Sequence, residues 1–252
     1  MTVAAPPRWE VLYAEAHAER FRYLAGAGAE FLRGHGMLAV KTGALSNVDN
    51  GIVLEREDVD DAVLADLVEF LQVPASLICS GFDASDDLRE RLAQAGLQEE
   101  TTGVTTGADF GELELPAPAP PVGVSIVEAT SQQDLDDWRE VALATGIFEE
   151  RDRQPLPLRH WVARRGDRPV ALATAFFLSG TVLLEHVAVI EEERRRGLGT
   201  ALALVRLHEA RRFGCSLAVF GTTPESEALY RRFGFTTQPD QGRRWFYLPL
   251  EP

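Results

Sequence analysis

His186-Val187-Ala188-Val189-Ile190-Glu191-Glu192-Glu193-Arg194-Arg195-Arg196-Gly197-Leu198-Gly199-Thr200-Ala201-Leu202 is the stretch that decides how this chain is read. An apolar strand runs into a turn, then three arginines, then Gly-x-Gly at the opening of a helix. Glycines let the backbone approach a ligand closely, and the first turn of a helix carries N–H groups with no intrahelical acceptor. The helix dipole adds partial positive charge at the same place. Such an anion cradle suits a pyrophosphate. The amides from Arg195 to Thr200, Leu198 among them, would donate, and Gly197 and Gly199 remove the side chains that would block approach. Arg194, Arg195 and Arg196 add attraction for phosphate; the plainer alternative is a solvated helix start balancing three glutamates.

Outward from the cradle, the helix runs to about residue 213, where Gly214 stops it. Upstream, the alternation predicts strands at 124–128, 159–164, 170–178 and 182–189, and a helix capped by Ser131 that runs to about 145. Downstream come a short buried strand at 216–220, a helix from Pro224 or Glu225 to Gly234, a strand from Phe235 and a last strand at 245–250. Leu115-Pro116-Ala117-Pro118-Ala119-Pro120-Pro121-Val122-Gly123 favours an extended polyproline segment, which divides the chain into units 1–115 and 124–252 joined by a linker at 116–123. In the first unit the pattern predicts a long helix from 9 to about 33, strands near 37–41 and 47–54, a helix near 59–71 and a strand at 98–106. Ser76-Leu77-Ile78-Cys79-Ser80-Gly81 echoes Ser216-Leu217-Ala218-Val219-Phe220-Gly221. Each is followed by a short charged helix and a Gly turn, as a duplication would leave.

The bulk composition narrows the function classes. At 252 residues and 45% apolar content, the chain suits one large or two small domains with real cores. No apolar run reaches about 18 residues, so no membrane span is expected, and the N-terminal residues lack the basic-then-apolar layout of a signal peptide. Two cysteines, Cys79 and Cys215, make no disulfide framework, which points to a reducing cytoplasm and to buried, inert thiols. The net charge of −14 falls almost wholly on residues 1–115, which hold 21 acids against 8 bases. Nucleic acid and anionic membrane are poor partners for such a surface; a cationic small molecule is compatible with it, as is plain solubility. No His/Cys/Asp cluster has metal-ligand spacing, so no metal is expected.

Arg194-Arg195-Arg196-Gly197-Leu198-Gly199 fits R/Q-x-x-G-x-G/A, and in this it resembles the GCN5-related N-acetyltransferases (GNAT). Val187-Ala188-Val189 is similar to that family's splayed central strand. Glu225-Ser226-Glu227-Ala228-Leu229-Tyr230-Arg231-Arg232-Phe233-Gly234-Phe235 is similar to its closing Leu-Tyr-x-x-x-Gly-Phe motif. The match covers roughly 124–250. The resemblance implies an α+β fold: a mixed, mostly antiparallel sheet flanked by helices, in a catalytic C-terminal domain. It also implies a shortened, degenerate GNAT-like N-terminal half, because residues 1–115 lack the cradle motif and carry Leu92 where Tyr230 stands in the second unit.

The implied activity is direct transfer of an acetyl group from acetyl-CoA to a primary amine of a small molecule or peptide. The cradle, Ser226 and the main chain of Val187, Ala188 and Val189 would hold acetyl-CoA, the strand pairing with the pantetheine amides as an added strand would. A bulge there would free an amide for the thioester oxygen. Tyr230 matches the family tyrosine that protonates the departing sulfur. For the base, strand alternation puts Glu185 on the face of Val187 and His186 on the other, which favours Glu185. Glu149, Glu150 and His160 are rivals, or clasp the acceptor. Two alternatives stay open: a CoA-binding sensor or partner-binding module without turnover, and acylation of a protein. Monomer and homodimer are both compatible with the sequence.

Overall fold

Two glycines frame the helix that follows the cradle. Gly197 caps its start at φ 86° and Gly214 its end at φ 96°, left-handed values that side chains with a Cβ resist, so α5 spans Leu198–Phe213 as the pattern predicts. The computed structural model describes residues 8–42, 49–100, 104–147, 157–239 and 244–249. The chain forms two compact units that interleave in sequence. One comprises Met1–Gly107, Gly221–Glu227 and Thr236–Pro252; the other comprises Ala108–Phe220 and Ala228–Phe235.

In the first unit, α1 (Trp9–Gly26) is followed by β1 (Glu30–Gly34), β2 (Met37–Lys41), β3 (Gly51–Leu54), α2 (Asp61–Leu71), β4 (Ala75–Cys79), α3 (Asp86–Gln94), β5 (Gln98–Glu99) and β6 (Val104–Asp109). The helix expected to reach about 33 stops at Gly26. Ala25-Gly26-Ala27-Gly28 cannot sustain it, and Gly28 turns the chain at φ 103° into an exposed edge strand. The sheet order is β1-β2-β3-β4-β13-β5. Its strand β13 (Trp245–Leu248) comes from the far C-terminus and pairs antiparallel with β4, Trp245 opposite Ile78 and Leu248 opposite Ala75. Phe246 enters the core with Leu64, Leu67, Leu77, Leu88 and Leu92. Strand β12 (Thr236–Pro239) pairs with β6.

The second unit holds β7 (Val124–Glu128), α4 (Gln132–Ala144), β8 (Arg159–Arg165), β9 (Arg168–Phe177), β10 (Thr181–Val189), α5, β11 (Leu217–Gly221) as far as Phe220, and α6 (Pro224–Tyr230) from Ala228 onward. Its strands run β11-β10-β9-β8-β7; β10 and β11 are parallel and the rest antiparallel. Trp138 and Val141 of α4, and Leu202 and Leu207 of α5, bury against Trp161, Leu172 and Val182. At about 25 cal/mol per Å², such large apolar side chains supply most of the driving force. Ser131 caps α4 as predicted: its Oγ accepts from the Asp134 amide at 3.1 Å, and Asp134 reaches back in a full capping box.

The duplication echo has a structural counterpart. The parallel pair β3–β4 leads into α3 and β5, as β10–β11 leads into α6 and β12. Cys79 and Cys215 are free and buried, and burial pushes their thiols up to about 12 and about 11. Among the described residues no helix is long and apolar enough to cross a membrane.

Candidate active site

Strand β10 changes partners halfway along. Thr181, Val182 and Leu183 pair with Leu217, Ala218 and Val219 of β11, and the pairing stops there. On its other side β10 continues with β9 as far as Val189 opposite Ala171. From Leu184 to Val189, therefore, one edge of β10 has no strand beside it among the described residues. An extended ligand with amide groups can add to such an edge.

The expected bulge lies at the head of this open stretch. Leu184 pairs with Ala175 and Val187 with Ala173, so β10 carries one extra residue at Glu185-His186 opposite Thr174. This corrects the face assignment drawn from alternation: a period of two does not carry across a bulge, so the faces of Glu185 and His186 cannot be counted from Val187. Both are half-buried, and Val187 is 37% exposed.

Bulges leave main-chain carbonyls in need of donors. One side chain serves two of them here: Arg206 Nη1 donates to Thr174 O at 2.8 Å and to Glu185 O at 3.1 Å. Its Nη2 donates to the Tyr230 hydroxyl at 2.6 Å. Arg206 is 1% exposed and Tyr230 3%. The phenol is ringed by Phe220, Phe233 and Phe235, with centroids 4.4, 6.2 and 5.0 Å away. Burial holds the phenol above its ordinary value against the pull of the guanidinium. Burial lowers Arg206 in turn, opposed by Tyr230 and by the Glu185 carboxylate. Glu185 and Tyr230 thus meet at one cation. Arg206 was missed in the sequence, although a signal existed: an arginine in phase with Leu198, Leu202 and Ala210 sits on an apolar stripe.

At the other end of the open edge, Glu193 closes a 3-10 turn and the chain enters the cradle. Arg195 adopts φ 62° and Gly197 φ 86°, and Gly197 caps α5 with no side-chain hydrogen bond. Two left-handed residues so close together curl the amides into a concave nest. The first amides of α5, on Leu198, Gly199 and Thr200, have no carbonyl within the helix to bond. Gly199 has an ordinary helical backbone, and a Cβ there would meet nothing within 4 Å. Neither backbone nor packing requires glycine at this position, where it costs a helix about 1 kcal/mol. What its lack of a side chain leaves is room for a ligand over the helix start.

The arginines divide their tasks. Arg194 Nε donates to Val189 O at 3.1 Å, and Arg196 lies 3.5 Å from Glu193. Arg195 is exposed. Of the remaining candidates, His160 is 3% exposed, bonds Thr174 Oγ1 through Nδ1 at 2.8 Å and packs on Trp138, as a core histidine does. Ser226 Oγ accepts from the Thr223 amide at 2.9 Å, in the first turn of α6. Glu149 and Glu150 lie outside the described residues. Among those described, no group of three or more His, Cys, Asp or Glu could hold a metal ion.

Residues 124–235 match the model of the Acetyltransferase (GNAT) family. No curated protein matches the chain. Among solved structures, a GCN5-related N-acetyltransferase from Kribbella flavida is similar at 18% identity and TM-score 0.62, over 94% of each chain. A tandem GNAT protein from the clavulanic acid biosynthesis pathway is similar at 15% identity and TM-score 0.55, over 85% of this chain and 79% of that one. A C-terminal domain named for a lysylphosphatidylglycerol synthetase, from Agrobacterium fabrum, is similar at 13% identity and TM-score 0.53, over 96% and 93%. At these identities the likeness is one of fold.

Proposed function

We propose that this protein, whose residues 124–235 match the model of the Acetyltransferase (GNAT) family, transfers an acetyl group from acetyl-CoA to a primary amine of a small molecule or peptide. The observation that carries the reading is the sequence of parts along one strand: the phenol of Tyr230 tied to the bulge, then the open edge of β10, then the glycine cradle. That is the order in which a thioester, its amide-bearing arm and a diphosphate follow one another in acetyl-CoA.

In this reading the amides of Leu198, Gly199 and Thr200 bind the diphosphate, and Arg195 adds long-range attraction. Backbone groups of Val187, Ala188 and Val189 pair with the arm. An aliphatic ammonium has a pKa of about 10 and must lose a proton before it attacks; Glu185 takes it, directly or through water. The amine nitrogen then bonds to the carbonyl carbon and the carbon–sulfur bond breaks. Tyr230 gives its proton to the departing sulfur, and the second nitrogen proton leaves to solvent. The phenol oxygen already accepts from Arg206, so its own hydrogen is free to be given. Residues 1–115 we take as the degenerate half, with buried Leu92 where a phenol would be needed.

Calorimetry with acetyl-CoA, followed by release of free CoA across a panel of primary amines read with a thiol reagent, tests the proposal. Heat of binding and amine-dependent thiol release are expected. Absence of heat with any acyl-CoA overturns it, and binding without turnover on any amine leaves a sensor in place of an enzyme.

A further inference from the structure

The side chain that joins the site together is neither in the cradle motif nor in the closing motif. Arg206 lies two turns into α5 from the cradle, in a stripe otherwise apolar. A charge taken out of water is costly unless its hydrogen bonds are well placed. Here one guanidinium spans three elements, bonding Thr174 of β9, Glu185 of β10 and the hydroxyl of Tyr230 at the end of α6. Two of these contacts fall on the bulge. A purely apolar residue would have packed α5 equally well, but would have left those carbonyls and the phenol without this donor.

We infer that Arg206 is a positioning residue that acts through Tyr230: its fork locks the phenol to the bulge and stabilises negative charge on the phenol oxygen as the proton leaves. The inference rests on the reading of Tyr230 as the acid. The geometry gives the mechanism. As acceptor of the Nη2 proton, the phenol oxygen must turn its own hydrogen elsewhere, and its position is fixed relative to the strand along which the thioester would lie. The full positive charge of arginine persists when buried, which lysine does not guarantee. Among the described residues, the ionisable groups acting on this guanidinium are Tyr230 and Glu185, and the cation acting on the phenol is Arg206. Replacing Arg206 by a neutral residue therefore raises the phenol further.

The test uses the full-length protein with acetyl-CoA and its best amine. R206Q should lower kcat about 10–100-fold with KM for acetyl-CoA nearly unchanged, and move the alkaline limb of the pH–rate profile upward. In a Y230F background R206Q should cause no further loss, because the two act as one device. R206K, which keeps a charge but loses the fork, should lower kcat with a smaller shift of the limb. It also serves if R206Q does not fold. A readout free of turnover is the ionisation of Tyr230 itself, from ultraviolet difference titration against Y230F, which should move upward in R206Q. Multiplicative losses in the double variant, or an unmoved phenol titration, overturn the inference while leaving Tyr230 as acid. Full activity of Y230F overturns the reading of Tyr230 and the inference with it.

Discussion

Glu193 accepts two hydrogen bonds from Arg165, Nε at 2.9 Å and Nη2 at 2.8 Å, and this bidentate pair ties the last turn before the cradle to the end of β8. Forked pairs of this kind fix direction as well as distance. Glu193 is 7% exposed although it stands in a run of three glutamates, so its position is set by this contact and not by solvation. Arg165 holds its carboxyl below the usual range, and the pair stays charged at neutral pH. The turn that leads into Arg194 to Gly199 is thereby stiffened.

Glu193→Gln should loosen the cradle without touching the chemistry. The expected result is a rise of about 3–10-fold in KM for acetyl-CoA with kcat unchanged, measured by initial rates at saturating amine. A fall in kcat at constant KM would show that the turn does something other than shape the cradle.

The two glycines should respond in opposite ways. Gly199→Ala adds a Cβ that meets nothing and improves helix propensity, so stability should rise by up to about 1 kcal/mol while acetyl-CoA binding weakens. Gly197→Ala forces a Cβ into a left-handed backbone and should destabilise by roughly 1–2 kcal/mol. Thermal melts alongside calorimetry check both. Unaltered binding by Gly199→Trp, whose ring would fill the space over the helix start, would move the diphosphate site elsewhere.

Glu185→Gln removes the base candidate while keeping its shape. If Glu185 takes the ammonium proton, the acid limb of the kcat/KM profile should vanish or shift and the rate at neutral pH should fall by about 10²–10⁴-fold. An identical profile assigns deprotonation to solvent.

Acid should unfold the second unit partly through Asp134. Its carboxyl accepts from Ser131 and from Arg164, which hold it at about 2 against an ordinary 3.8. A depressed value contributes stability above the ordinary carboxylate range, and that contribution is lost as pH falls from about 4 to about 2. Denaturation midpoints followed over this window should drop less steeply in Asp134→Asn than in the wild type. Ser131→Ala, which removes the cap, should cost about 1 kcal/mol at neutral pH.

The elements near the cradle were legible because their determinants are contiguous. Gly197 and Gly214 mark the ends of α5, Ser131 starts α4, and the alternating apolar residues of β8 to β10 lie where the pattern puts them. The bulge was foreseen as a backbone need but not its consequence, since the extra residue at Glu185-His186 cancels the alternation used to choose faces. The early end of α1 was obscured by alanines, which favour a helix as strongly as the intervening glycines oppose it. His160 shows the limit of residue type as a guide: beside Trp138 and Thr174 it is a packing and hydrogen-bonding group.

From the sequence alone came the cradle, the order of strands and helices around it, and the tyrosine that ends α6, because each is written in neighbouring residues through glycine conformation, capping and periodicity. Tertiary structure alone decided that β13 joins β4 across more than a hundred residues of chain, and that Arg206, Glu185 and Tyr230 meet. Those outcomes depend on which apolar faces bury together and which carbonyls a bulge leaves exposed, and no local pattern records them.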